Sequence, residues 1–271
     1  MTTLSFVAHQ DDDLLFMNPD IASDVWDGQD VWIVYLTAGD IPHRPGSSYG
    51  GIQYAEMRNE GVRAAYARTA GVANDWSYEE MTFGGHPVPT NRLAGTDLRI
   101  VYTYVHAAAG PEDNFGDLWR LLNVPGFTAQ PIDGRPAYTY SGFVGMLRGI
   151  IDHVGPDFIR TGSSIGHREG DHIDHTAGAI LAADANTDAQ GCTAVRRYEY
   201  TGYRMLNLPE NVGGFLRDKK AEIWDEYWPH DPELNQWSWR AALGRRYAPD
   251  GRVFHPGVLW VPPGDFASSV A

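Results

Sequence analysis

The chain has 271 residues, enough for one large α/β domain with a sizeable core. Its formal charge of −14 argues against binding a nucleic-acid backbone, which depends on clustered Lys and Arg. The basic pairs Arg196-Arg197 and Lys219-Lys220 are short and read as solvated. A single cysteine, Cys192, excludes an intramolecular disulfide and a cysteine-based zinc site. The N-terminus lacks a basic region followed by a long apolar stretch, and no run is apolar enough to span a bilayer. The expectation is a soluble, cytoplasmic protein with neither a membrane nor a nucleic-acid partner.

Leu4-Ser5-Phe6-Val7-Ala8 is a short apolar run that reads as a buried strand and ends abruptly in His9-Gln10-Asp11-Asp12-Asp13. Leu14-Leu15-Phe16-Met17 follows with good helix formers, and aspartates just before them suit a helix N-terminus. A cap explains one aspartate, hardly three after a histidine. This cluster is predicted at a strand's carboxyl end, where open α/β sheets bind ligands. Residues 31–36 read as a second strand, 50–70 as a helix, 98–105 as a third strand, and 143–154 as a helix stopped by Gly155-Pro156. The stretches 41–51, 76–96 and 107–138 are rich in Gly, Pro, Asn and Asp and read as long loops that frame the site.

Pro156-Asp157-Phe158-Ile159-Arg160-Thr161 looks like a further short strand, 162–170 a polar, glycine-rich loop, and 176–183 a helix. Between them stands His172-Ile173-Asp174-His175, whose two histidines share a face on a first helical turn. Beyond residue 190, 197–203 could be a strand and 215–228 an amphipathic helix, with irregular structure around Pro229, Pro232 and 249–263. The fold class is α/β: a mainly parallel, Rossmann-like sheet with helices on both faces. Residues 1–190 are expected to form the catalytic core of a single domain, with 191–271 completing the fold and walling the cleft.

The two polar clusters need each other. Together they offer three or four candidate metal ligands and spare carboxylates, the mixed set of a hydrolytic zinc site with a position open for water. The Ala-His-x-Asp-Asp-acid segment with a later His-x-Asp-His resembles the LmbE-like (PIG-L) zinc-dependent N-acetylglucosamine deacetylases. Leu36-Thr37-Ala38-Gly39-Asp40 and Arg58-Asn59-Glu60 are similar to that family's intervening segments, so the likeness covers most of residues 1–185. Gln10 departs from the usual proline and Asp13 from the usual glutamate, and an enlarged loop through His167 and Asp171 precedes the second motif. Within the family, the wording from Val7 to Asp20 is similar to the deacetylases of teicoplanin-type glycopeptide antibiotic biosynthesis.

The resemblance and the residues together imply that His9, Asp12 and His175 hold one divalent ion per chain. Zn²⁺ is the first expectation, although iron, cobalt or nickel suit the same donors. Asp11 is expected as general base, His172 as partner to the developing oxyanion, either Asp11 or His172 as the group that protonates the leaving amine, and Asp174 as the carboxylate orienting a neighbouring imidazole. Arg58 is expected either to hold the substrate's distal polar groups or to form an ion pair inside the fold. The reaction implied is acetamide hydrolysis on an N-acetylglucosaminyl conjugate, releasing acetate and a free amine. The substrate expected is a glycopeptide antibiotic pseudoaglycone, or alternatively a small thiol-precursor glycoside of the mycothiol or bacillithiol type. The 9 Trp and 14 Tyr, many near the long loops, suit stacking on a sugar or aromatic aglycone.

Two other classes compete. Gly162-Ser163-Ser164-Ile165-Gly166 matches the nucleophile elbow of a serine hydrolase, with His230 or His255 as the base, but leaves His9 and its aspartates without a task. A non-catalytic metal- or sugar-binding module leaves the extra carboxylates unexplained. His43, His86, His106 and His153 have no partner motif and read as surface or packing residues.

Overall fold

The computed structural model describes residues 1–41, 47–109, 116–187 and 194–247, together with the backbone of the short strand Val253–Phe254. His43, Cys192, His255 and the rest of the stretch 249–263 lie outside the described residues.

The chain opens with β1 (Thr2–Val7), followed by a π-helical turn at Asp13–Met17, α1 (Asp20–Trp26) and β2 (Asp30–Tyr35). Next come α2 (Gly51–Ala70), β3 (Trp76–Phe83), β4 (His86–Leu93) and β5 (Leu98–Tyr102). Then follow α3 (Asp117–Asn123), the two-residue strands β6 (Thr128–Ala129) and β7 (Tyr138–Thr139), α4 (Tyr140–Val154) and β8 (Phe158–Gly162). A 3-10 turn at Gly166–Glu169 leads to α5 (Ile173–Ala185), β9 (Arg197–Tyr200), α6 (Gly214–Tyr227) and β10 (Val253–Phe254).

Among the described residues eight strands form one sheet in the order β10-β9-β8-β1-β2-β5-β4-β3. The five from β9 to β5 are parallel, and the antiparallel strands lie at its two edges. β1 and β2 are buried at five of six positions each, because helices cover both faces. One core joins Leu14 and Leu15 with residues of α1, α2 and α6, and the other is built from α3, α4 and α5. In α4 the buried residues Phe143, Met146, Leu147, Ile150 and Ile151 follow the period of one helical face. Its ends are equally legible: the Thr139 side chain accepts from Gly142 N, and Gly155 closes the helix in the left-handed region at φ 56°. Among the described residues no helix is long and apolar enough to cross a membrane.

Several expectations are corrected. The stretch 76–96 is a hairpin, β3 and β4, turned by Gly84-Gly85 with φ of 55° and 82°. Most of β3 is exposed, so it carries no apolar alternation to reveal it. The stretch 107–138 contains α3 and the small strand β6. The third strand stops at Tyr102, with Tyr104 just beyond it at φ 58°. The basic pairs are not wholly solvated either. Arg197 is buried and lies 2.7 Å from Glu199.

Lys220 is buried as well, and it ties three segments together. Its ammonium donates to the carbonyl oxygens of Leu15, Ala242 (3.1 Å) and Arg245 (2.7 Å). Burial pushes its pKa down to about 7, while three acceptors for three ammonium protons favour the charged form. Lys220→Met leaves those carbonyls without their donor and is expected to lower unfolding free energy by about 2–4 kcal/mol in urea titration. An unchanged midpoint and slope contradicts this role.

Candidate metal centre and its cavity

β1 and β8 lie side by side in parallel, with Leu4 opposite Ile159. Their carboxyl ends therefore deliver the two polar clusters, more than 160 positions apart in sequence, to one spot. His9, Asp11, Asp12, His172, Asp174 and His175 are all buried. Asp12 stands at the N-terminus of the Asp13–Met17 turn but makes no side-chain capping bond. Its Oδ2 accepts from His9 N at 2.8 Å and lies 3.0 Å from His9 Nδ1, and its Oδ1 lies 3.0 Å from His175 Nε2. Asp12 thus sits between two imidazoles.

Behind each imidazole stands a further carboxylate. Asp174 Oδ2 is 3.1 Å from His9 Nε2 and accepts from Ala108 N at 2.7 Å. The imidazole next to Asp174 is therefore His9, from the other cluster. Asp171 Oδ1 is 2.9 Å from His175 Nδ1 and accepts from the backbone N–H groups of His172 and Tyr203. Sequence reasoning gave Asp171 no role, although a carboxylate four residues before His175, just ahead of the α5 N-cap His172, was a usable signal. With the outer nitrogens held by these carboxylates, His9 Nδ1 and His175 Nε2 are the ring nitrogens that face Asp12.

The electrostatics agree. Burial disfavours the His9 imidazolium, but Asp12 and Asp174 outweigh it and raise its pKa to about 9. His175 is raised well above its usual value against burial, by Asp12 and Asp171. Such a site attracts a cation. His172 behaves differently: burial and then the charge on His9 push its pKa down to about 3. Its Nδ1 accepts from Asp174 N at 3.2 Å, capping α5, so its proton sits on Nε2.

His9, His172 and His175 present ring nitrogens within 4.8 Å of one another and could hold a metal ion. The donor set that fits best replaces His172 by Asp12, because both nitrogens of His172 are otherwise engaged as acceptor and N–H. His175 Nε2 is buried and has no hydrogen bond despite its 3.0 Å approach to Asp12 Oδ1. Ligands at 2.0–2.1 Å in a tetrahedron lie about 3.3 Å apart, so the separations suit neighbouring donors to one ion.

Asp11 faces the same cavity, with Oδ1 accepting from Arg58 Nη2 at 2.8 Å. Arg58 also donates to Tyr227 OH (3.0 Å) and Gly39 O (3.1 Å), and its Nε lies 3.2 Å from Asp231. Arg58 makes the ion pair expected inside the fold and also lines the cavity. Tyr227 and Asp231, from the C-terminal third, carried no motif that sequence reasoning could use. Gly39 is required twice over: its φ is 57°, and a Cβ there would meet Gln10 Oε1 at 2.1 Å. Gln10 uses that space to donate to Ala38 O and Asn59 Oδ1, both at 3.0 Å. Asp13 turns away from the site to accept from the hydroxyls of Tyr35 and Tyr66.

The cavity measures about 220 Å³ and is lined by His9, Asp11, Asp12, His172, Gly39 and Arg58, by apolar residues including Phe16 and Ala108, and by Tyr203 and Trp239. Ser164 does not have the setting of a nucleophile elbow. Ser164 donates from both N and Oγ to Glu199 Oε2, at 2.9 and 3.1 Å, and is followed by the 3-10 turn rather than a helix. Other histidines have structural neighbours: His86 packs on Tyr138, His106 pairs with Asp40, and His153 lies between Trp32 and Phe83.

No curated protein is similar to the chain at the level of sequence. Among solved structures, the N,N'-diacetylchitobiose deacetylase from Pyrococcus horikoshii is 14% identical with a TM-score of 0.55, over 96% of this chain and 84% of that one. At that identity the likeness is one of fold. A triple mutant of a deacetylase in the teicoplanin biosynthetic pathway is 18% identical, covering 90% of this chain and 88% of that one, with a TM-score of 0.48. The A40926 pseudoaglycone deacetylase is 16% identical over 97% and 98% of the two chains, with a TM-score of 0.48. The family model described as GlcNAc-PI de-N-acetylase matches residues 4–186, a span that contains both polar clusters. On that match the chain belongs to the PIG-L family of de-N-acetylases, which are amide hydrolases.

Proposed function

We propose that this protein is a zinc-dependent deacetylase that hydrolyses the acetamide of an N-acetylglucosaminyl conjugate. The observation that carries the reading is the convergence of His9 Nδ1, Asp12 and His175 Nε2, each imidazole backed by its own carboxylate, beside a cavity that Asp11 also faces. Zinc bound by those three residues supplies positive charge that polarises the amide carbonyl and acidifies water.

The chain's own groups do the rest. Asp11 takes a proton as water adds to the carbonyl carbon, and the Arg58 guanidinium beside it holds the carboxylate in place. His172 is neutral and carries its proton on Nε2, so it acts as a hydrogen-bond donor to the carbonyl oxygen as negative charge develops. When the carbon–nitrogen bond breaks, protonated Asp11 returns its proton to the leaving amine. Acetate and a free glucosamine remain. The segment after residue 190 is part of the proposal: Tyr203 and Trp239 wall the cavity, and Tyr227 and Asp231 hold Arg58.

The substrate we propose is the N-acetylglucosamine of a glycopeptide antibiotic pseudoaglycone, supported by the wording of residues 7–20. Mass spectrometry of acetate release should favour that compound over mycothiol- or bacillithiol-type glycosides, and faster release from the small glycosides overturns the assignment.

Elemental analysis should find that His9→Ala and His175→Ala each lose most bound metal, and full occupancy in both sinks the ligand set. Asp171→Asn should weaken the ion's affinity by roughly 10–100-fold, as the loss of an orienting carboxylate commonly does. An unaltered affinity leaves Asp171 a purely structural residue. Asp11→Asn should retain metal while kcat falls by roughly two to four orders of magnitude. Because Asp11 also neutralises Arg58, metal content and Tm of this variant are measured first, and near-normal turnover excludes Asp11 as the base.

A further inference from the structure

Tyr203 and Trp239 are the aromatic side of the cavity, and neither falls within residues 4–186 that match the family. Their rings stack, with centroids 5.4 Å apart and planes at 29°. Phe16, from the turn that follows Asp12, meets both edge-on at 5.9 and 6.4 Å. Tyr203 is pinned to the metal centre, since its backbone N–H donates to Asp171 at 3.1 Å. The wall is therefore registered against the same carboxylate that orients His175.

Trp239 has φ 60°, a conformation that bulky L side chains rarely adopt. Such strain persists only where the surroundings fix it, and it clusters where ligands are clamped. Here the surroundings are firm. Ala242 N donates to Trp239 O at 2.8 Å, Trp224 Nε1 donates to Ser238 O at 3.1 Å, and Lys220 holds Ala242 O.

The cavity's size adds a constraint. At about 220 Å³ it is below the roughly 300–1,000 Å³ of pockets that enclose a drug-sized ligand, so it suits one sugar ring and the group next to it rather than a whole conjugate, and the half-buried Tyr203 and Trp239 wall one side. Arg58, the guanidinium among its described lining residues, is engaged by Asp11 and Asp231.

We propose that Tyr203 and Trp239 form an aglycone subsite that takes an aromatic group attached to the glucosamine, giving preference for aryl over alkyl glycosides. This rests on the N-acetylglucosamine reading above. The test is calorimetric binding of two unreactive amines, 4-nitrophenyl and methyl β-D-glucosaminide, to the zinc-loaded enzyme. The aryl compound should bind roughly tenfold more tightly, near the upper end of what one aromatic stack contributes. Trp239→Leu should reduce that preference to about twofold or less, with the aryl compound losing more affinity than methyl glucosaminide. Trp239→Gly, which adopts φ 60° freely, should do the same. Equal affinities in the unaltered enzyme, or a preference that survives both substitutions, overturns the subsite. Acetate release from the corresponding N-acetylated pair is followed in parallel. Aryl preference without any acetate release supports the subsite and defeats the deacetylase reading instead.

Discussion

The parallel pairing of β1 with β8 is the constraint on which the site depends. Each strand ends in a polar loop that is costly to bury alone, and adjacency in the sheet lets each loop neutralise the other. Asp12 from the first loop faces His175 from the second at 3.0 Å, while Asp174 from the second faces His9 from the first at 3.1 Å. Because β2 lies on one side of β1 and β8 on the other, this is also where the sheet's strand order reverses, a place where open α/β folds leave a crevice.

Charge sets the character of that crevice. Taking a carboxylate out of water costs several kcal/mol unless it is paired, and Asp11, Asp12, Asp171 and Asp174 are all buried. Arg58 answers for Asp11, and the two imidazoles share the other three. The imidazoles are raised toward protonation only because those carboxylates surround them. A divalent cation satisfies the same carboxylates with the rings neutral, so the arrangement that stabilises the loops is also one that favours metal. The C-terminal third belongs to this balance, since Lys220 ties Leu15 O to Ala242 O and Tyr227 meets Arg58.

How much of this was legible in the sequence follows from the range of each interaction. β1 and β2 were readable because burial on both faces demands a continuous apolar run, and α4 because one buried face imposes a helical period. The clusters around His9 and His172 were readable because charge interrupts apolar structure there without a local reason. The β3–β4 hairpin was missed: its outer strand is mostly exposed and its inner strand contains two prolines, so only Gly84-Gly85 marked it. Asp171 was missed although its four-residue spacing from His175 was visible. Lys220 and Asp231 were illegible for a stronger reason, since their partners lie up to 205 positions away and are chosen by tertiary packing.

The central claim is that two imidazole nitrogens and one carboxylate hold the ion, with His172 left outside the set. X-ray absorption spectroscopy at the zinc edge on the metal-loaded protein tests it directly. The account predicts two imidazoles, with nitrogen and oxygen donors at about 2.0–2.1 Å and no sulfur. Three imidazoles around the zinc would contradict it, because His172 would then be a ligand rather than the neutral donor to the substrate.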